Sequence, residues 1–177
     1  MMNLEGDLVA ALQQLDEDVQ KHVVRPVAYA GAKVLYEEAR IRAPVYQGGA
    51  FTRKNGVEVK PGQLRDAIYH VFSEDQSSDL HKIYEISWNA SKAPHGHLLE
   101  NGHWLVRGKL GRGNTGPPRR IKWVPAVPFI RGSFDRAPAA VEAMQQRAIE
   151  KMQEVLTRTV VDDFGNEVTV VGALHGD

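Results

Sequence analysis

Residues 67–88 read AIYHVFSEDQSSDLHKIYEISW, and this stretch sets the fold class because it predicts two strands joined by a turn. Residues 67–72 are rich in aromatic and β-branched side chains, and residues 82–88 place Tyr, Ile and Trp at alternate positions, which is typical of strands. Between them, the polar run EDQSSD at residues 74–79 is typical of a turn. The stretch therefore predicts an antiparallel strand pair.

Two helices are predicted before this strand pair. Over residues 4–24, apolar residues recur every three or four positions, at Leu4, Leu8, Leu12, Leu15, Val19 and Val23. Pro26 cannot donate a backbone hydrogen bond, so it either kinks this helix or occupies the first turn of a second one, which ends near Ala43 before Pro44. The second helix carries small residues that let another backbone approach closely, namely Ala28, Ala30, Gly31, Ala32 and Ala39.

A third strand and a long helix are predicted after the strand pair. Residues 120–124 read RIKWV, which is strand-like and ends before Pro125. The helix follows Pro128, with Asp135 as its N-cap and Pro138 in its first turn. Its expected buried stripe is Val141, Met144, Ala148, Met152 and Val155.

The remaining segments are interpreted as loops and an arm. Turn-forming Gly, Asn and Pro residues make residues 45–62 an exposed loop or hairpin. Residues 159–171 hold two β-branched runs around a turn at residues 163–166, which predicts a hairpin. We therefore expect one α+β domain over residues 1–158, with loop insertions at 46–60 and 104–120, and a hairpin arm over residues 159–177.

The composition predicts a soluble globular protein. The 177 residues are 42% hydrophobic and 25% charged, and 22 basic residues balance 22 acidic ones, so the net charge does not recruit nucleic acid or a membrane. There is no cysteine, which excludes disulfides, cysteine nucleophiles and cysteine-bound zinc. No secretory signal and no apolar run long enough to span a membrane are expected.

Three histidines surround a glutamate in HGHLLENGH, residues 95–103. His95 and His97 would share a face on a strand, and Glu100 and His103 would share a face on a helix, so a histidine-metal hydrolase is one hypothesis. However, zinc hydrolases space their helical histidines as H-E-x-x-H, and Gly96 and Gly102 are expected to break a single helix. These glycines weigh against a metal site, and the family resemblance described below implies a structural turn here, so we predict no metal site and no cofactor.

The charge is most uneven over residues 104–134, which contain no acidic residue. This segment could contact phosphates without reading base sequence, which makes a stand-alone DNA-binding module a second hypothesis. A solvated loop is the alternative. No phosphate-binding loop or serine-nucleophile motif occurs, and nothing in the sequence requires an enzyme. The candidate DNA or partner contacts are Arg107, Lys109, Arg112, Arg119, Arg120 and Lys122.

Four short motifs occur in an order that resembles one known family. They are ARIRAPV (39–45), GQLRDAI (62–68), LLENGH (98–103) and VPAVPFIRGSFD (124–135). They resemble four motifs of the neck or tail-completion proteins of long-tailed bacteriophages, a family typified by the tenth gene product of a lambdoid phage. The family motifs, in the same order, are A-x-x-x-A-P-V, G-x-L-R-x-S-I, x-L-E-x-G-T/H and x-P-A-x-P-F-L-x-P-A-F-D. The resemblance spans about residues 5 to 156. Its structural positions here are Pro44, Gly62, Leu64, Arg65, Glu100, Gly102, Pro125, Pro128 and Phe129.

The resemblance implies a virion protein without catalysis, assembled in the host cytoplasm. It implies a homo-oligomeric ring, expected to be sixfold, around the DNA passage at the head-proximal end of the tail. Expected neighbours are tail-terminator, tail-tube or head-connector proteins, with possible non-specific DNA contact and no membrane. It also makes Gly102 a positive-φ turn that begins a loop. Departures from the family pattern are the enlarged link 46–60, Pro61, Ala67, the 107–118 loop and the terminal hairpin.

Overall fold

The computed structural model describes residues 4–52, 58–107, 119–157, 159–161 and 167–169. The chain forms two compact units. The first unit comprises Met1–Val34, Val71–Glu85 and Ala137–Asp177, and the second comprises Leu35–His70 and Ile86–Arg136. Both units contain helix and strand, so the predicted α+β class is confirmed.

Six α-helices and eight strands occur in the described residues. The helices are α1 (Leu4–His22), α2 (Val24–Arg42), α3 (Gln63–Ala67), α4 (Gly96–Asn101), α5 (Ile130–Ser133) and α6 (Ala137–Leu156), with a 3-10 turn at Phe134–Arg136. The strands are β1 (Phe51–Thr52), β2 (Glu58–Val59), β3 (Ile68–Ser73), β4 (Ile83–Trp88), β5 (His103–Arg107), β6 (Arg119–Val124), β7 (Thr159–Val161) and β8 (Glu167–Thr169).

The strands form four separate two-stranded sheets in the described chain, β1–β2, β3–β4, β5–β6 and β7–β8. The predicted pair within residues 67–88 is confirmed as β3 and β4, and the predicted strand at 120–124 as β6. The partner of β6 is β5, which the sequence did not predict because residues 104–120 were interpreted as a loop. The two ends of that predicted loop are therefore strand, while Lys109 and Arg112 lie outside the described residues.

The first unit is built on α1, the start of α2 and α6. Helix α1 packs along α6, and Val23, Ala140 and Val155 are buried. A Cβ atom on Gly31 would lie 2.6 Å from Sδ of Met144 and 3.6 Å from the Ala140 carbonyl oxygen, so it is a side chain of α6, more than its backbone, that approaches this small residue closely. Pro26 is the third residue of α2, within its first turn.

The start of α6 differs in detail from the prediction. The helix begins at Ala137, so Pro138 lies in its first turn as predicted, whereas Asp135 is in the preceding 3-10 turn and is not the N-cap. The Asp135 carboxylate instead pairs with Nη1 of Arg42 at 2.9 Å. Of the predicted stripe, Val155 is buried and Met144, Ala148 and Met152 are half-buried, whereas Val141 is exposed. Ala140, next to Val141, is buried in its place.

The core of the second unit lies around Phe129, which is fully buried. The Trp88 ring contacts Phe129 edge to face, with centroids 5.6 Å apart. Small buried residues from α2, α3 and the segment before α4 let these rings approach the backbone. The buried cluster is Ala39, Ala43, Leu64, Ala67, Ile68, Ala93 and Phe129.

Candidate assembly interface

The pair β5–β6 is a two-stranded antiparallel ribbon, referred to below as the ribbon. Trp104 lies opposite Trp123, and their ring centroids are 5.6 Å apart. The register shifts between Leu105 and Val106, so the ribbon contains a β-bulge. The guanidinium of Arg120 lies 5.4 Å from the Trp104 ring centroid, which places this cation on the aromatic face.

Both faces of the ribbon carry exposed apolar side chains. Consecutive residues of a strand point to opposite faces. Trp104, Leu105 and Val106 are 44%, 48% and 50% exposed, so neither face of β5 is covered by the described residues. On β6, Ile121 and Trp123 are 53% and 44% exposed. A ribbon with apolar groups on two open faces is typical of a surface that another protein covers.

The base of the ribbon is fixed to α4. Gly102 ends this helix with φ of 71°, the positive φ that the family resemblance implied, although a strand rather than a loop follows. A Cβ atom there would lie 2.9 Å from the carbonyl oxygen of Val124. The amide of Val127 donates a hydrogen bond to the Leu99 carbonyl at 2.8 Å. The ribbon therefore starts from a packed base within the second unit.

Glu100 connects α4 to the start of α5. Its side chain is 7% exposed, and its carboxylate accepts hydrogen bonds from the backbone amides of Phe129 (2.8 Å), Ile130 (3.0 Å) and Arg131 (3.0 Å). The Arg131 guanidinium donates to the same carboxylate at 3.2 Å. Burial raises the pKa of Glu100, but these hydrogen bonds outweigh burial and hold the pKa below its ordinary value.

The other positions that match the family pattern lie at a turn, in the core, on the surface or between elements. Gly62 has φ of 80° and precedes α3, whose Leu64 is buried. Arg65 pairs with Asp66 at 3.5 Å on the surface. Pro44 follows the end of α2, and Pro125 and Pro128 lie between β6 and α5.

The structure brings some of the predicted contact residues together. Arg120 and Lys122 are exposed on the ribbon, and the backbones of Arg107 and Arg119 are register partners at its far end. Lys109 and Arg112 lie outside the described residues. Sequence reasoning missed the apolar part of this surface, Leu105 and Val106, because a strand exposed on both faces has no alternation of apolar and polar residues.

The histidine segment surrounds α4. His95 precedes the helix, His97 lies in it, and Nδ1 of His103 lies 3.3 Å from the Leu98 carbonyl oxygen. The helix begins at Gly96 and ends before Gly102, so no single helix presents the three histidines, as expected. A Cβ atom on Gly96 would lie 2.3 Å from Nε1 of Trp88, so this glycine is needed for packing. In the described part of the chain, no group of three His, Cys, Asp or Glu residues could hold a metal ion.

None of the described helices is both long and apolar enough to cross a membrane. Comparison of the chain with protein-family models, with curated proteins and with solved structures gives no match.

Proposed function

We propose that this chain is a structural subunit that associates with copies of itself through exposed apolar surface, and that it forms a ring at the head-proximal end of a phage tail. The observation that carries the proposal is the ribbon, whose apolar side chains are open on both faces. The resemblance of four ordered motifs to phage neck proteins supplies the biological setting. In this setting the protein is part of the virion and has no catalytic role.

The ribbon supports assembly for an energetic reason. A two-stranded hairpin is marginally stable alone, and its two outer strand edges leave backbone donors and acceptors unpaired. Covering the apolar groups would contribute roughly 25 cal/mol for each Å² removed from water. Contact with a neighbouring subunit would therefore stabilise both the ribbon and the assembly.

The Glu100 contacts support a structural interpretation of two of the motifs. Glu100 belongs to LLENGH, and the three amides that it binds belong to VPAVPFIRGSFD. All oxygen contacts of this carboxylate are to the chain's own backbone and to Arg131 among the described residues. A carboxylate occupied in this way is suited to positioning the ribbon base, and it is not available as an acid or base.

Sedimentation velocity and negative-stain electron microscopy of the purified protein test the proposal. We expect the wild-type chain to form rings and Trp104→Ser/Trp123→Ser to sediment as a smaller species. Ile149→Ser, which removes an exposed apolar side chain from α6, is the control and should assemble normally. A wild-type chain that stays monomeric at every concentration would overturn the proposal, and so would normal rings formed by the tryptophan variant.

A further inference from the structure

A cleft in the first unit is lined by cations and aromatic rings. It has a volume of about 630 Å³ and lies among the end of α1, the start of α2, β4 and the last turns of α6. Lys21, Arg25 and Lys151 contribute positive charge, and Tyr29 and Tyr84 contribute rings whose centroids are 5.8 Å apart. We refer to these five residues as the cationic cleft. The other lining residues are His22, Pro26, Glu154 and Val155.

Positive charge exceeds negative charge in the cationic cleft. Glu154 is the one carboxylate among its lining residues, and Lys151 hydrogen-bonds to it. Lys21 pairs with Glu17 at 3.3 Å, but both side chains are largely exposed, so solvent weakens this pair. The Arg25 guanidinium lies 4.2 Å from the Phe72 ring centroid, which positions its charge at the cleft. The cleft therefore favours a ligand with several negative charges and an apolar part.

The turn between β3 and β4 carries negative charge, opposite to that of the cationic cleft. It presents Glu74, Asp75, Asp79 and Leu80, and we refer to these four residues as the acidic turn. All four are exposed, and Leu80 is 68% exposed. None of the three carboxylates pairs with a cation among the residues that the structure describes. The acidic turn therefore offers three negative charges and one apolar side chain to a partner.

Hydrogen bonds hold the acidic turn in one shape. Oγ of Ser77 donates to the Ser73 carbonyl at 2.5 Å and accepts from the Ile83 amide at 3.0 Å. The amide of Ser78 donates to the His81 carbonyl at 2.7 Å, and the His81 amide donates back at 3.3 Å. Because the turn is already ordered, binding would cost little conformational entropy.

We propose that the acidic turn of one copy binds in the cationic cleft of a neighbouring copy, with Leu80 against the tyrosine rings. The inference rests on the proposed function, since it requires self-association. Every copy carries both surfaces on its first unit, so each copy can give its turn to one neighbour and receive the turn of another, which is a head-to-tail contact. A head-to-tail contact closes into a ring when the rotation between copies permits. Charge complementarity would select the partner and accelerate association.

Charge reversal tests this pairing. The cleft variant is Lys21→Glu/Arg25→Glu, and the turn variant is Asp75→Lys/Asp79→Lys. We expect each variant alone to associate at least about tenfold more weakly than wild type, because like charges would meet at the contact. An equimolar mixture of the two variants should recover assembly, since each retains one original surface. The chain that carries all four changes should also assemble. Glu142→Lys, which reverses an exposed charge on α6 outside the cleft, is the control and should behave as wild type.

The outcomes separate this inference from the proposed function. A wild-type chain that never associates overturns both. If wild type assembles and the turn variant assembles equally well, the pairing is wrong and the proposed function stands. The same conclusion follows if both variants fail and neither the mixture nor the four-site chain recovers. The turn variant alters only exposed residues, so it tests the pairing even if removal of the Arg25 guanidinium from the Phe72 ring unfolds the cleft variant.

Discussion

Arg131 contacts Glu100 through both its backbone and its side chain. Its amide donates to Oε1 of Glu100 at 3.0 Å, its Nε donates to the same oxygen at 3.2 Å, and its Nη2 donates to the Glu100 carbonyl. With the amides of Phe129 and Ile130, these bonds neutralise a buried carboxylate and hold the start of α5 against the end of α4. The base of the ribbon depends on this contact.

Glu100→Gln is expected to destabilise the second unit by about 2 kcal/mol, because hydrogen bonds to a charged acceptor are removed and two donors meet an NH₂ group in place of an oxygen. All three tryptophans, Trp88, Trp104 and Trp123, belong to this unit, so denaturant titration followed by tryptophan fluorescence measures its stability. The exposed Glu142→Gln should change stability by less than about 0.5 kcal/mol. Equal stability of the two variants would contradict the role of Glu100.

The same residue predicts the acid sensitivity of the second unit. Since the folded pKa of Glu100 is lowered, its contribution to stability is fully present above the unfolded carboxyl pKa, about 4.3. This contribution is lost as the pH falls through the folded pKa. As the pH falls from 6 into the acid range, the free energy of unfolding should therefore decrease more for wild type than for Glu100→Gln. Denaturant titration followed by tryptophan fluorescence at each pH measures it. Equal decreases in stability for the two proteins would show that Glu100 is not responsible for the acid sensitivity.

Gly96→Ala is expected to destabilise the second unit by about 1–3 kcal/mol, because an added methyl group would overlap the rigid indole ring of Trp88. The matched control is Gly49→Ala, since nothing lies within 4 Å of a Cβ atom at Gly49. Thermal unfolding followed by tryptophan fluorescence compares the two. If both alanine variants melt together with wild type, the close contact between Gly96 and Trp88 is not required.

Neutralising the ribbon cations should weaken non-specific DNA binding. The logarithm of the DNA-binding constant falls linearly with the logarithm of the salt concentration, and each phosphate contact contributes about 0.9 to the steepness of this line. The double variant Arg120→Gln/Lys122→Gln should therefore make the line less steep by up to about 2. Fluorescence anisotropy with duplexes of unrelated sequence measures the slope. The control is Lys60→Gln, an exposed cation outside the ribbon. Absence of salt-dependent binding by wild type would leave the ribbon as a protein-binding surface alone.

Deletion of residues 159–177 should leave the two units folded and impair assembly. The described core elements end with α6 at Leu156, and the strands β7 and β8 pair only with each other in the described chain. The turn at 163–166 lies outside the described residues, as do residues 170–177, so contact of the arm with a neighbour stays a prediction. Circular dichroism checks folding, and sedimentation velocity checks assembly. Normal rings formed by the truncated chain would exclude the arm as an assembly contact.

The absence of a metal centre at His95, His97 and His103 also stays a prediction. Elemental analysis of protein purified without chelators should find zinc far below one equivalent. Near-stoichiometric zinc that disappears in His95→Ala/His97→Ala would reverse this prediction and favour the hydrolase hypothesis. The variant His22→Ala, outside the segment, controls for adventitious binding by surface histidines.

Local signals were sufficient for most of the regular elements. Alternating apolar residues predicted β3 and β4, the apolar stripe predicted α1, and Pro44 set the end of α2 because proline disfavours helix at the residue before it. These features depend on a residue and its near neighbours, so the sequence alone determines them.

Tertiary structure decided the features that require distant partners. The amides that stabilise Glu100 lie 29 to 31 residues away, and a buried carboxylate is tolerated only where the fold delivers them. Asp135 pairs with Arg42, a residue far from it in sequence, and is not a helix cap, because the fold brings the guanidinium within 2.9 Å of its carboxylate. The cationic cleft collects Lys21, Tyr84 and Lys151 from three separate segments. Leu105 and Val106 form a strand because β6 supplies the hydrogen-bonding edge, which no pattern within residues 103–107 reveals.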